Sequence, residues 1–298
     1  MKKPERLKRV CPTCDLDTAD NYKILYRVPH EVLECQECGL VFINEALTKT
    51  ESGEFDIRNI QRNAKPRIAK SRHDFEGLRG FIDASRNGGQ PTKVLDIGCG
   101  LGHFLLEAHQ HGWETNGTEI NKNAIKYLEK YPQLDVRVGN AEEQIDFPTE
   151  SFDVLTMFGV IEHLVNPTDA IRECYRVLKP GAVLCLQTPT EDGFLRKAGH
   201  GLYKLSAGKI RFHVGQFYFL NGGHNLCFSR ESIRTLLEKN GFEIEKIVGS
   251  TFGLKNILLR FGLRPKDIIK IVGTSAVFAL GKVLNMPNHM TVYARRQA

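Results

Sequence analysis

The chain has 298 residues, 41 Lys and Arg against 35 Asp and Glu, and a formal net charge of +6. With 41% hydrophobic and 26% charged residues it has the make-up of an ordinary globular chain, which excludes a disordered, fibrous or membrane-spanning class, and its length suits one large α/β domain with small additions. Its basic start (Lys2, Lys3, Arg6, Lys8, Arg9) lacks the apolar run of a secretory leader, which predicts a cytoplasmic protein.

The first chemical signal is Cys11-Pro12-Thr13-Cys14 followed, after twenty residues, by Cys35-Gln36-Glu37-Cys38-Gly39. Two C-x2-C pairs at this separation are near the spacing of a tetrathiolate zinc site. Four thiolates leave no open coordination position, so a zinc ion on Cys11, Cys14, Cys35 and Cys38 is structural rather than catalytic. A redox C-x-x-C normally occurs singly beside a βαβ unit, and disulfides need an oxidising compartment. Cys99, Cys174, Cys185 and Cys227 are isolated and read as small buried hydrophobes. Residues 1–45 are therefore expected to form a zinc-ribbon module. Residues 46–90, including Pro66 to Ala84, read as a helical linker.

Next comes an apolar strand running into a glycine-rich loop and a helix: Val94-Leu95-Asp96-Ile97-Gly98-Cys99-Gly100-Leu101-Gly102-His103-Phe104-Leu105. Glycine at 98, 100 and 102 lets backbone approach a ligand closely, and the helix start offers unpaired N–H groups. The spacing departs from the dinucleotide fingerprint G-x-G-x-x-G, since His103 stands at the third glycine position. A helix to Gln110 is closed by Gly112, and the strand Thr115 to Ile120 ends in an acid. Glu119 lies about twenty residues past the loop, where a carboxylate can accept both hydroxyls of a ribose.

A helix over Asn121 to Lys130, a strand at 136–138 and the turn Gly139-Asn140-Ala141-Glu142 follow. Phe152 to Phe158 is a strand apolar enough for a sheet covered on both faces, and it leads into Gly159-Val160-Ile161-Glu162-His163. A helix from Thr168 to Leu178 is stopped by Lys179-Pro180-Gly181, and Ala182 to Gln187 is again a strand. Ser229 can cap a helix to Asn240, with Gly241 closing it. Phe242 to Val248 and Thr291 to Ala294 supply two more strands. This alternation predicts an α/β, Rossmann-like, doubly wound and mostly parallel sheet, with a ligand beyond the carboxyl ends of the strands.

The combination LDIGCGLG, GTEI, FDVLTMFGVIEHL and VLKPGAVLCLQTP resembles the class I S-adenosylmethionine (SAM) methyltransferases over about residues 91 to 250. The resemblance implies a methyltransferase domain over 91–298 with SAM as cofactor. The cofactor would be held by Asp96, Gly98, Gly100, Gly102 and Glu119, with Ile120 against the adenine. Asn140 would stand near the adenine amino group, where the family often has Asp, and Ala141 and Phe158 would complete the wall.

Residues 190–228 occupy the place where this family builds a substrate lid. Between Asp192 and Glu231 there is no acid, but there are Arg196, Lys197, Lys204, Lys209, Arg211, Arg230 and seven aromatic residues, which points to an anionic acceptor. An insertion at 251–286 alternates apolar and basic residues. It reads either as a helix pair packed on the core or, over 254–286, as an amphipathic contact with the inner face of a membrane.

In methyl transfer the cofactor carries the reactivity and the protein positions the acceptor. A base helps when the acceptor is a hydroxyl, and His163 and His224 are the candidates. Ubiquinone-biosynthesis O-methyltransferases share the Glu162-His163 pair and hold a divalent ion with a further acid three residues upstream. Gly159 stands there in this chain, so the resemblance implies no ion site of that kind. Sugar C-methyltransferases also carry CxxC pairs, but of their Tyr-x-Glu-His cluster the stretch Asn221-Gly222-Gly223-His224 keeps only the His. The expectation is methylation of a small molecule, a saccharide or related metabolite, on oxygen, with the ribbon beside the active-site mouth. The alternatives are methylation of an rRNA or tRNA base, and a non-catalytic zinc-ribbon interaction protein on a methyltransferase fold.

Overall fold

Along the central strands, neighbouring side chains part to two different cores, and this fixes the layering. The computed structural model describes residues 10–15, 21–26, 31–44, 64–85, 93–209, 223–250, 276 and 279–298. The first elements are β1 (Tyr22–Tyr26), β2 (Val32–Cys35), β3 (Val41–Ile43), α1 (Ala64–Ser85), β4 (Lys93–Ile97), α2 (His103–Gln110) and β5 (Glu114–Glu119). Then come α3 (Lys122–Leu128), β6 (Asp135–Val138), β7 (Phe152–Phe158), a 3-10 turn (Ile161–His163), α4 (Pro167–Val177) and β8 (Leu178–Pro189). The last are α5 (Phe194–Leu205), β9 (Leu226–Cys227), α6 (Arg230–Lys239), β10 (Phe242–Ser250) and β11 (His289–Arg296).

The large sheet has seven strands in the order β10-β11-β8-β7-β4-β5-β6. β6, β5, β4, β7 and β8 are parallel, and β11 runs antiparallel between β8 and β10. This is the expected doubly wound α/β sheet. Leu95, Leu155 and Leu184 join one core with Ile171, Leu236 and Leu237 of α4 and α6. Their sequence neighbours Val94, Val154 and Val183 face a second core with Phe104 and Leu105 of α2. A period of two along each strand sorts these residues to opposite faces. The segment read as a linker supplies α1, whose Phe75, Leu78 and Ile82 are fully buried in that second core. Phe75 meets the Trp113 ring edge-on at 5.0 Å.

The turn expected at Lys179-Pro180-Gly181 is absorbed into β8. Leu178 already pairs with Phe152, and a register shift before Val154 takes up the extra residues. Gly181 sits there at φ +72°, a conformation glycine adopts without penalty.

Chain order runs from β4 outward to β6, then returns to β7 on β4's other side. The crevice at this reversal, above the carboxyl ends of β4, β5 and β7, is where such sheets bind ligands. The second, four-stranded sheet has the order β1-β2-β3-β9. Its first three strands belong to the cysteine segment, but β9 comes from just before α6 of the main domain. Val41 pairs with Cys227 and Phe42 with Leu226. The first cysteine turn is held from the other side as well. Thr168 Oγ1 donates to the Pro12 carbonyl at 2.9 Å, and Lys239 Nζ donates to the Cys14 carbonyl at 2.9 Å. Among the described residues no helix is long and apolar enough to cross a membrane.

Candidate active site

The loop after β4 is built from positive-φ glycines. Gly98, Gly100 and Gly102 stand at +69°, +56° and +71°. A Cβ on Gly98 would come within 2.5 Å of Val160 Cγ2, and one on Gly102 within 2.7 Å of Leu128 Cδ2. Both positions therefore need glycine for space as well as for φ. The loop is tied to β5 by Gly98 N–H and Cys99 N–H, which both donate to Thr118 O at 2.8 and 3.0 Å.

Glu119, at the end of β5, closes this arrangement. Its Oε2 accepts Gly100 N–H at 2.9 Å and its Oε1 accepts Asn121 N–H at 2.8 Å. Each carboxylate oxygen can accept a second hydrogen bond, so the group is fixed in place with acceptor capacity left over. Asp96, at the end of β4, is buried and accepts from Thr156 Oγ1 at 2.7 Å. Burial pushes its carboxyl up to about 7, helped by the nearby Glu119 charge and opposed by the Thr156 hydrogen bond.

Ile120, the residue after β5, is an apolar side chain 44% exposed. Phe158, at the end of β7, packs edge-on against Phe104 at 5.2 Å. Lys70 of α1 brings its Nζ within 5.6 Å of the Phe158 ring and pairs with Asp74 at 2.5 Å. No sequence motif flags Lys70. Only the packing of α1 against the sheet brings it to this edge. Asn140 uses its amide within its own turn: Oδ1 accepts Glu142 N–H at 3.2 Å and Nδ2 donates to Glu143 Oε1 at 2.8 Å. The Ala141 side chain is buried in the first core, so only its backbone could meet a ligand.

On the other side of β7, His163 and His224 come together from 61 positions apart, with ring centroids 4.7 Å apart and planes at 82°. Backbone bonds hold them there. Asn225 N–H donates to Glu162 O at 2.8 Å, and Asn225 Nδ2 donates to His163 O at 2.9 Å. His163 Nδ1 donates to Gly223 O at 3.1 Å. Burial, reinforced by the neighbouring His163, Arg196 and His289, holds His224 down to about 3, so its imidazole is neutral. Glu162, flagged in the sequence only through the shared Glu162-His163 pair, joins them. Its carboxylate is buried beside both rings, and burial pushes its pKa up.

The four ribbon cysteines are buried and lie with their Sγ atoms within 4.8 Å of one another. Cys11 and Cys38 are 3.6 Å apart, as are Cys14 and Cys35. These separations are far too long for disulfides and close to the ~3.8 Å edge of a tetrahedron with 2.3 Å Zn–S bonds. The cluster is the donor set of a structural zinc. The other four cysteines are buried, and burial raises the thiols of Cys99, Cys174 and Cys185, leaving them unreactive.

One element of the basic lid is different from expectation. Arg196 is buried against Glu191 at 3.5 Å, and Glu191 also meets His200 Nε2 at 2.5 Å. His200 Nδ1 in turn meets the Tyr26 hydroxyl of the ribbon. Arg196 is thus a structural cation joining α5 to this network, and among the described residues Lys197, Lys204, Lys209 and Arg230 are exposed. Lys23, Tyr26, His200, Tyr203 and Lys204 line a cavity of about 270 Å³ between β1 and α5. Residues 210–222 of the lid and 251–275 of the insertion lie outside the described residues.

A family model for a methyltransferase domain matches residues 58–247. A Mycolicibacterium smegmatis protein named "Probable S-adenosylmethionine-dependent methyltransferase" is 30% identical over 161 residues, 54% of this chain and 55% of that protein. The ubiquinone biosynthesis O-methyltransferase of Pseudomonas aeruginosa is 34% identical over 125 residues, 40% of this chain and 53% of its own. The chain spans about half the length of the curated relatives it matches. A chain from the Haloferax volcanii complex of the Trm112 methyltransferase activator with a methyltransferase superposes with a TM-score of 0.55 at 13% identity. That match covers 82% of this chain and 96% of the other. At that identity the likeness concerns the fold alone.

Proposed function

The chain belongs to the methyltransferase-domain family, and from that membership we propose that it transfers a methyl group from SAM to a hydroxyl oxygen of a small-molecule acceptor, a saccharide or related metabolite. SAM is the cofactor of this fold and supplies an electrophilic methyl on its sulfonium. Glu119 receives the ribose hydroxyls on the acceptor sites that Gly100 and Asn121 leave open. Gly98, Gly100 and Gly102 let the backbone approach, Ile120 and Phe158 supply apolar wall, and Asp96 holds the loop base through Thr156.

The observation that carries the choice of oxygen is the His163–His224 pair, 4.7 Å apart beside the carboxyl end of β7. A hydroxyl is a weak nucleophile until its proton is accepted or its developing charge is held, and imidazole lone pairs supply such a function. The relatives named O-methyltransferases support the same choice. Exposed Lys204 at the ribbon–α5 cavity supports an acceptor with an anionic group, Lys23 there being paired with Glu34 at 3.0 Å. Exposed Val283 and Leu284, in the described end of the insertion, support acceptance from a membrane surface.

The test is product chemistry. Methyl transferred to a sugar-type hydroxyl forms an ether that survives alkali, whereas a methyl ester is cleaved. An alkali-labile or nitrogen-linked methyl in the product would overturn the assignment to hydroxyl oxygen.

A further inference from the structure

We propose that Glu162, His163 and His224 form a binding site for a divalent transition-metal ion, separate from the cysteine zinc, and that this ion holds the acceptor hydroxyl. The inference deepens the methyl-transfer reading above and rests on it for the identity of the acceptor group.

Each of the three residues offers a ligand atom, and these atoms lie within 4.8 Å of one another. They come from two chain segments. Glu162 and His163 lie on the 3-10 turn after β7, and His224 lies in the strand approach to β9. His224 Nδ1 is buried without a hydrogen-bond partner among the described residues, and the buried Glu162 Oε2 has none of good geometry, the Thr188 hydroxyl being the neighbouring donor to that carboxylate. Nearly all buried polar atoms in folded proteins are paired, so an unpartnered imidazole nitrogen beside an under-satisfied buried carboxylate oxygen marks a missing shared partner. A cation satisfies a carboxylate oxygen and an imidazole nitrogen together, where a single protein donor would serve one of them.

The surroundings are those of a ligand set held in advance. His163 donates from Nδ1 to the Gly223 carbonyl, which leaves Nε2 with its lone pair, the tautomer a metal requires. Asn225 clamps the backbone of both Glu162 and His163, so the residue that follows one ligand fixes the other two. Gly159, at φ +70°, places no side chain beside the Glu162 carboxylate. The acid that related enzymes carry at that position is absent, and His224 takes up the third place from a different part of the chain.

Two imidazoles and one carboxylate suit zinc and its first-row neighbours, and three protein ligands leave coordination open. The open position is where the acceptor hydroxyl binds. Coordination lowers its pKa, and its proton leaves to solvent. The resulting alkoxide oxygen forms the new O–CH3 bond as the C–S bond of SAM breaks, and that electron pair stays on sulfur to give neutral S-adenosylhomocysteine. No oxidant or reductant is involved. His163 and His224 are then metal ligands rather than proton acceptors.

Co2+ distinguishes the two sites, because thiolate coordination gives intense charge-transfer absorption and a nitrogen–oxygen site gives only weak visible bands. Full-length protein should take up two equivalents of Co2+, one with each signature. His224→Ala and Glu162→Gln should each lose the weak bands and one equivalent. Both variants should keep the thiolate signature and bind SAM with unchanged affinity, which shows that they are folded. Wild-type protein that stops at one equivalent, or a second equivalent that persists in both variants, overturns the proposal. In the first case, methyl transfer that continues unchanged would leave the O-methylation reading standing, with the histidines as bases. Two equivalents with no methylated product would instead defeat the O-methylation reading and keep the metal site.

Discussion

Ile43 donates its backbone N–H to the carbonyl of Asn225 at 3.1 Å, one residue beyond His224. Through this bond and the β3–β9 pairing, the cysteine-bearing sheet holds the segment that carries His224 against Glu162 and His163. On the proposed reading, the ribbon is a wall of the candidate active site.

Removing a ribbon cysteine should act at a distance on the chemistry. Cys14→Ser is expected to lose the tightly held zinc and leave SAM affinity within about threefold of wild type, while methyl transfer falls by about 100-fold or more, as for a lost positioning interaction. Hydrogen exchange should show Ile43 and residues 225–227 losing protection together. Full activity in zinc-free protein would contradict the coupling.

The cofactor site should be sensitive at Glu119. Glu119→Ala removes the acceptor proposed for the ribose and strands the N–H groups of Gly100 and Asn121. At about 1.5–3 kcal/mol for each hydrogen bond to a charged group, SAM binding should weaken by about 100-fold or more. Isothermal titration measures this directly, and near-normal binding would remove Glu119 from the site.

Asp96 gives a pH signature. Its carboxyl is raised in the folded protein from 3.8 to about 7, so the folded state binds a proton that the unfolded state has released. Stability of the cofactor-free protein should therefore fall as pH rises from about 4 to about 7, by about 1.4 kcal/mol for each pH unit crossed, and level off above. Asp96→Asn can still accept from Thr156 and does not titrate. It should flatten that slope and raise the melting temperature at pH 8, with loss of SAM binding. An unchanged pH profile in the variant would assign the slope to another group.

Helix α1 should behave as core. Phe75→Ala empties a fully buried site beside Trp113 and is expected to cost about 3–5 kcal/mol, the range for buried aromatic truncations. Urea denaturation would check it. A cost below about 1 kcal/mol would fit a loosely attached helix instead.

The sheet is legible in the sequence because its signals are local. Val94 to Ile97, Phe152 to Phe158 and Ala182 to Gln187 are apolar runs bounded by glycine or charged turns, and Ser229 forms the expected cap with Ser232. The placement of the glycine loop beside Glu119 is readable for the same reason, since it follows from spacing along one strand–loop–helix unit. What stays hidden depends on long-range pairing. Nothing in Leu226-Cys227 announces a fourth strand for the cysteine sheet, and nothing in Arg196 distinguishes a buried partner of Glu191 from a lid cation. The Glu162-His163 pair is visible in the sequence, but nothing there shows that folding sets His224 beside it. The segment 46–90 looks like a connector because its charged residues outnumber Phe75, Leu78 and Ile82, which do the packing.

The most direct test of methyl transfer to a small molecule uses SAM labelled in its methyl group. The protein is incubated with extract of its own organism, and RNA, soluble metabolites and lipid are then separated. Label is expected in the metabolite or lipid fraction, resistant to ribonuclease and to alkali, and absent with Glu119→Ala. Label in RNA that ribonuclease releases would contradict methyl transfer to a small molecule, and would make the basic face of α5 a nucleic-acid groove.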